Sequence, residues 1–379
     1  MLGFGIIIPI LPTFAKELGA ENYQVGLIAM SYPIMNFLFA PFWGSLSDRF
    51  GRRPIILGSV MITTLAYMLF SQSVNLWILL LSRALSGIGS ANLSVAQAYV
   101  ADVSSPAERA RSMGLIGAAF GLGFIIGPTA GGYLKTISTQ GQVDWVGYGA
   151  AAICLVNLLL AFFFLPESMK QRNHDLVFNF KVFSGIANEL RKPVIRELLL
   201  INFIFITAFM IMQIAATLFW RESIGLSELQ MGYMFAFIGV LTVVVQGGLV
   251  GWMVKRHGEY RLLSIGSYLS IIGFAMIPWV TPESFVPFEL IAFALLALAN
   301  GCISPSITSL LSQAADSADV GQVLGVNQSF GSLARAAGMA LSGLMYGIEF
   351  HLPFMTGAIV MFLCIWLASM IRTPKPAPH

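Results

Sequence analysis

The sequence predicts an all-α membrane protein with twelve transmembrane helices in two pseudo-symmetric six-helix bundles. Three observations carry that expectation. The 379 residues are 57% apolar and only 10% charged, far from the roughly 25% charge of soluble domains. Mostly apolar runs of about 20 residues recur along the chain, the length that crosses bilayer hydrocarbon as a helix. The two halves also repeat one another at a nearly constant offset.

The runs fall at roughly 1–15, 24–44, 55–72, 76–101, 110–134, 145–165, 196–220, 228–252, 262–280, 286–311, 322–348 and 352–371, numbered helices 1 to 12. They are too long for barrel strands and lack period-two alternation, which leaves helices. A soluble helical protein would need amphipathic faces and longer polar loops. Basic residues orient the helices. With the connection after residue 44 inside the cell, sixteen of the 21 Lys and Arg are cytoplasmic. Lys16, Lys135 and Arg221 are external, and Arg83 and Arg335 lie within helices. That bias puts both termini in the cytoplasm of a multi-pass inner-membrane protein. The net charge of +3 follows from the bias and implies no nucleic-acid partner. Cys154, Cys302 and Cys364 sit in separate helices, and the four histidines show no HExxH spacing. No disulfide framework, metal or cofactor is expected, and no clustered catalytic set points to an enzyme.

Residues 166–192 are polar, with a short amphipathic stretch at 177–190. The expected plan is a bundle at 1–165, a cytoplasmic linker at 166–195, a second bundle at 196–372 and a tail at 373–379. GSLSDRFGRRP (44–54) follows helix 2 and GWMVKRHGEYR (251–261) follows helix 8, an offset of 207. GLIGAAFGLG (114–123) is echoed by LGVNQSFGSL (324–333), an offset of 210. A duplicated six-helix unit is the plan of transporters that rock two halves about a midplane site.

Several segments carry chemistry. In GSLSDRFGRRP, Gly44 and Gly51 permit a tight path and close helix approach. Positive-inside anchoring explains Arg52 and Arg53 but not the Asp–Gly frame. A charge latch explains both: Asp48 and Arg52 pair in one conformation and separate in another, with Asp102 at the end of helix 4 the natural partner of Arg52. Arg83 lies about 10 Å deep in helix 4, where a charge is expensive and marks a pathway or a paired site, unless it snorkels outward. In helix 5, Gly117 and Gly121 form one GxxxG, and Gly123, Gly127 and Gly131 form a stripe that lets backbones meet. Pro128 permits a bend.

The signature GxLxDRxGRRP resembles that of the major facilitator superfamily. SRALSGIG (82–89), GLGFIIGPTAGG (121–132) and LGFGIIIPILP (2–12) are similar to further motifs of its twelve-helix drug:proton antiporters. FAPFWGSLSDRFGRRP, AAFGLGFIIGP and FFFLPES look closest to tetracycline exporters and their relatives. The resemblance implies the major facilitator fold, a proton-relay role for Arg83, and an antiport motif comprising Gly117, Gly121, Gly123, Gly127, Pro128, Gly131 and Gly132. By analogy helices 1, 4, 7 and 10 line the solute path. That nominates Asn92, Gln97, Gln213 and Asn300, with Asn36 of helix 2 and the flat walls of Phe205, Phe209 and Phe293. An apolar lining with few neutral polar groups suits a lipophilic solute. The expected function is proton-coupled export of lipophilic small molecules or drugs by alternating access, from a monomer embedded in lipid. A uniporter or metabolite exporter, and a non-transporting receptor or scaffold, remain as alternatives.

Proton coupling needs a titratable group inside the membrane. All eighteen acids fall at helix ends or in loops, with Glu289 and Glu222 the deepest. Helix 1 has about fifteen apolar residues, roughly 22 Å, short of the ~30 Å core. Relative to helix 7 it lacks about a dozen residues, so its first half is expected upstream of Met1. The resemblance implies an Asp there.

Overall fold

The computed structural model describes residues 2–104, 109–138, 145–169, 189–315 and 320–370. Most of the expected linker (170–188) and its amphipathic stretch, and the tail from 371, lie outside these residues. Twelve helical segments follow in order among the described residues. They are α1 (Leu2–Ile7 and Leu11–Glu17), α2 (Asn22–Phe50), α3 (Arg52–Ser71), α4 (Leu76–Ser90 and Leu93–Val103), α5 (Arg109–Thr136) and α6 (Trp145–Phe164). After these come α7 (Pro193–Ile224), α8 (Glu228–Val244, continuing to Val250–His257), α9 (Glu259–Trp279), α10 (Phe285–Ala314), α11 (Val320–Ile348) and α12 (Leu352–Met370). Eight of them are long and apolar enough to span a bilayer. Large apolar side chains point outward along them, with Phe163 and Phe164 of α6 more than 70% exposed. That is a lipid-facing surface, which no soluble domain of this size leaves bare.

Each interruption has a local cause. α1 breaks around Pro9, whose ring removes a helix donor and clashes with the preceding turn; Pro12 then sits in the first turn of the second piece. α8 loosens into a wider turn at Val245–Leu249, around the Gly247–Gly248 pair. α4 breaks at Ala91–Asn92 without any proline. There the Trp43 indole of α2 donates to the Ile88 carbonyl at 2.7 Å, and the Asn92 amide donates to Ser59 Oγ of α3 at 2.6 Å. Each such bond is worth about 1 kcal/mol, and Trp43, Ile55, Ala91 and Val95 pack into one buried cluster around the break.

The connection expected after helix 2 is itself helical. α2 runs on through Asp48 to Phe50, and α3 begins at Arg52, so Gly51 alone forms the corner. α8 and α9 meet in the same way at Gly258. Both corners have positive φ, +107° at Gly51 and +75° at Gly258, a region that side chains disfavour. Helix packing repeats as well: α3 lies against α4 and α6, and α9 lies against α10 and α12.

The described residues fall into two compact units. One lies within Met1–Phe180 and Ala216–Val240, the other within Lys181–Ala215 and Leu241–His379. The end of α7 and the first half of α8 therefore pack with α1 to α6. The reason is on α5, where glycine on one face admits the α8 backbone. A Cβ on Gly132 would meet Leu229 Cα at 2.7 Å, and one on Gly232 would meet the Pro128 carbonyl at 2.6 Å.

The two corners differ in crowding. A Cβ at Gly51 would collide with the Glu167 carboxylate, whereas nothing lies within 4 Å at Gly258. Gly51→Ala is expected to cost about 1–3 kcal/mol, from backbone strain plus the displaced carboxylate, and Gly258→Ala about 1 kcal/mol. Thermal unfolding midpoints of the two purified variants check this order.

Candidate functional site

The corner at Gly51 leaves the first N–H groups of α3 without helix partners. Glu167, three residues past the end of α6, takes them: Oε1 accepts from Arg52 N at 2.9 Å and Oε2 from Arg53 N at 3.2 Å. Met169 N also donates to Oε1, at 3.1 Å. Partial desolvation pushes the Glu167 carboxyl upward, but the N–H groups of Met169, Arg52, Arg53 and Ser168 outweigh it and hold it below its ordinary value.

With its backbone anchored, Arg52 directs its guanidinium across three helices. Nη1 donates to Asp48 Oδ1 at 2.5 Å and to Ser47 Oγ at 2.6 Å, both on α2; Nε donates to Asp102 Oδ2 on α4 at 3.3 Å. Ser168 Oγ donates to the same Asp102 oxygen at 3.0 Å. The Arg52 side chain is 13% exposed, whereas those of Asp48 and Asp102 are 41% and 32% exposed. Water therefore screens the carboxylates, and each ion pair is worth no more than about 1 kcal/mol. The network can orient these helix ends and still break. Arg53 caps the neighbouring helix, donating to the Phe162 carbonyl at 2.7 Å with its guanidinium over that ring. Gly44 has open space where a Cβ would stand.

The second repeat builds the same corner with different chemistry. At an offset of 207, Gly258 stands for Gly51, Glu259 for Arg52 and Ser309 for Asp102. Glu259 Oε1 accepts from Ser309 Oγ and from Gln313 Nε2, both at 3.1 Å. An ion network in one half is a neutral-donor network in the other.

Arg83 does not snorkel. It is 3% exposed, with its guanidinium 4.9 Å over the Tyr32 ring of α2. Its Nε and Nη1 have no hydrogen-bond partner among the described residues. Tyr32 in turn stacks on Phe4 of α1 at 4.8 Å. Cation–π attraction of a desolvated guanidinium, about 2 kcal/mol, offsets part of the burial cost.

On α5 the glycine stripe meets α1. A Cβ on Gly127 would lie 2.7 Å from the Gly5 backbone, and those on Gly5 and Gly131 would strike the Gly123 and Ile6 carbonyl oxygens. The Pro128–Thr129–Gly132 face meets α8, where Thr129 Oγ1 donates to the Gly232 carbonyl at 3.4 Å. Gly117 and Gly121 lie on the same helix nearer its start. α11 repeats this contact with α7: a Cβ on Gly338 would meet Met210 Cβ and the Thr207 carbonyl, each at 2.6 Å.

The nominated solute-path residues are distributed over both units. Asn36 is half-buried, Asn92 is held by Ser59, and Gln97 is exposed. In the second unit Phe205 and Phe209 pair at 6.2 Å; Gln213 and Phe293 are buried, and Asn300 half-buried. Sequence reasoning missed Glu167, whose partners Arg52 and Arg53 are more than 110 positions away. It also missed a set of ion pairs at the other end of α2. These are Lys135–Glu17 at 2.7 Å, Lys16–Glu222 at 3.3 Å and Arg221–Glu228 at 3.5 Å.

Comparison with known proteins agrees over the whole length. The model of the Major Facilitator Superfamily matches residues 1–286 and 198–379. Multidrug resistance protein 2 of Bacillus subtilis is 29% identical over 99% of this chain and 92% of its own. Tetracycline resistance protein, class B, of Escherichia coli is 31% identical over 96% of this chain and 90% of its own. Among solved structures, the human organic anion transporter MFSD10 superposes with a TM-score of 0.74 at 25% identity, covering 97% of this chain and 95% of that one.

Glu167 links the corner to pH. Its folded-state value is depressed, so its stabilisation is complete above the ordinary 4.5 and is lost as pH falls through the lower folded value. Glu167→Gln is expected to lower the melting midpoint at neutral pH and to flatten its acid-side decline. Midpoints of the purified protein measured across pH read both effects.

Proposed function

The chain belongs to the major facilitator superfamily, and from that premise we propose that it is a proton-driven exporter of lipophilic small molecules working by alternating access. As a member of that family it is a multi-pass membrane transporter and not an enzyme. Drug resistance is what the names of its full-length relatives state, and the finer reading extends that property to this chain. The observation that carries it is the Arg52 network. A sheltered guanidinium shared by exposed carboxylates on two helices of one unit makes a junction strong enough to hold these helix ends together and weak enough to break in each cycle.

In this reading the Asp48–Arg52–Asp102 end faces the cytoplasm of an inner-membrane protein with both termini inside, the orientation that the distribution of basic residues favours. The closed network accompanies the state open to the outside. Arg83 tunes proton movement through the first bundle, and the close α1–α5 and α5–α8 contacts are the surfaces that shift. The neutral polar groups and phenylalanines of helices 2, 4, 7 and 10 receive the solute, and one monomer suffices.

Asp48→Asn is expected to reduce efflux by about tenfold or more with normal membrane insertion, since it removes the charge that Arg52 meets most closely. Normal efflux by an inserted variant would contradict the latch. The function itself is tested by reconstituting the full chain in liposomes and following tetracycline and ethidium under an imposed pH gradient. Gradient-driven accumulation of either is expected; flux indifferent to the gradient contradicts proton drive.

A further inference from the structure

We propose that Glu289 is a proton-binding carboxylate, loaded and released as the nearby mouth of the transporter opens and closes. The proposal rests on the proton-driven reading above and names the group within this chain that serves it.

Two acids are buried among the described residues. Glu189 precedes α7 and pairs with Lys192 at 3.2 Å. Glu289 is 0% exposed within the 30-residue α10, whose other residues are all uncharged. Phe285 and Phe293, one turn to either side, are 7% and 2% exposed. An ionised carboxylate there costs several kcal/mol and a protonated one far less. The side chain is therefore stable in one protonation state while enclosed and in either once wetted. It lies four residues into α10, about 6 Å along the axis. A small parting of that end brings water to it, and the helix N-terminus then favours its charge.

The repeat supports the assignment. The 207-residue offset that pairs Gly51 with Gly258 and Arg52 with Glu259 places Arg83 opposite position 290. The buried Arg83 and the buried Glu289 thus occupy matching turns of α4 and α10, a cation in one repeat and an acid in the other.

The elements packed against α10 carry ionisable groups of their own. α9 packs against α10 and carries Glu259, Tyr260 and Arg261 at its far end. Glu259 contacts Ser309, twenty residues and about 30 Å from Glu289. Tyr268 of α9 points outward, 55% exposed. Lys255, Arg256 and His257 of α8 share the far end. On α11, Arg335 donates to Ser332 at 2.9 Å, eleven residues before Tyr346. At Glu289's own end stand the buried Tyr346, the exposed Glu283, and Glu349 paired with His351 at 3.0 Å.

The test uses the full-length protein in liposomes, with tetracycline and ethidium as probes. Glu289→Gln is expected to lose gradient-driven accumulation by about tenfold or more while keeping downhill exchange within about twofold, because a carboxamide keeps the shape but carries no proton. Glu289→Asp is expected to restore gradient-driven transport. Retained gradient-driven accumulation in Glu289→Gln would overturn the assignment and leave proton drive intact. A wild type indifferent to the gradient would overturn the functional reading instead. A second readout covers a variant that fails to fold. In the wild type, dicyclohexylcarbodiimide reacts with protonated carboxyls in apolar surroundings. Peptide mapping is expected to find its adduct on Glu289, more at about pH 6 than at about pH 8. Absence of that adduct at both pH values would overturn the proposal.

Discussion

The signature end of the molecule depends on how one helix start is satisfied. α2 turns into α3 at a single residue, Gly51, so no local side chain reaches the N–H groups of Arg52 and Arg53. Glu167 supplies the acceptor from 115 positions away. That contact brings the segment after α6 onto the α2–α3 corner, puts Ser168 beside Asp102, and leaves the Arg52 guanidinium free to span α2 and α4. Had Gly51 carried a side chain, the carboxylate could not approach, and each of these placements would be lost.

The two repeats share this geometry and divide its chemistry. Both corners turn on a glycine with positive φ, and both join the start of the next helix to the helix one hairpin further on. In the first repeat the junction is ionic, so its strength depends on salt, pH and water access. In the second it is a carboxylate bound by neutral donors, Ser309 and Gln313. The helix contacts follow the opposite rule. α5 on α1 and α11 on α7 both use glycine to bring backbones together, because close packing in lipid has few other sources of attraction.

Much of this was legible in the sequence because bilayer crossing writes itself into composition. The twelve apolar runs coincide with the twelve helical segments, and the glycine stripe at 123, 127 and 131 announced a close contact. What could not be read were the partners. The stripe did not say that Gly5 and Ile6 would meet it. The α4 break at Ala91–Asn92 has no proline to mark it and is held by Trp43 and Ser59 from other helices. Glu167 read as one more acid in a loop. Arg83 could have reached outward by the length of its stem; only its enclosure by Tyr32 decides against that. Asn92, nominated for the solute path, bonds to Ser59. Depth along a helix also failed to measure burial, since Glu289 lies near a helix end and is fully enclosed.

The central claim is that Asp48 and Arg52 act as one breakable unit in transport. A double-mutant cycle tests it most directly, with efflux rates compared for Asp48→Asn, Arg52→Gln and the pair, at equal amounts of inserted protein. If the two act together, the double variant is no slower than the worse single variant. If their losses multiply as for independent sites, the latch is not the unit that opens and closes this transporter.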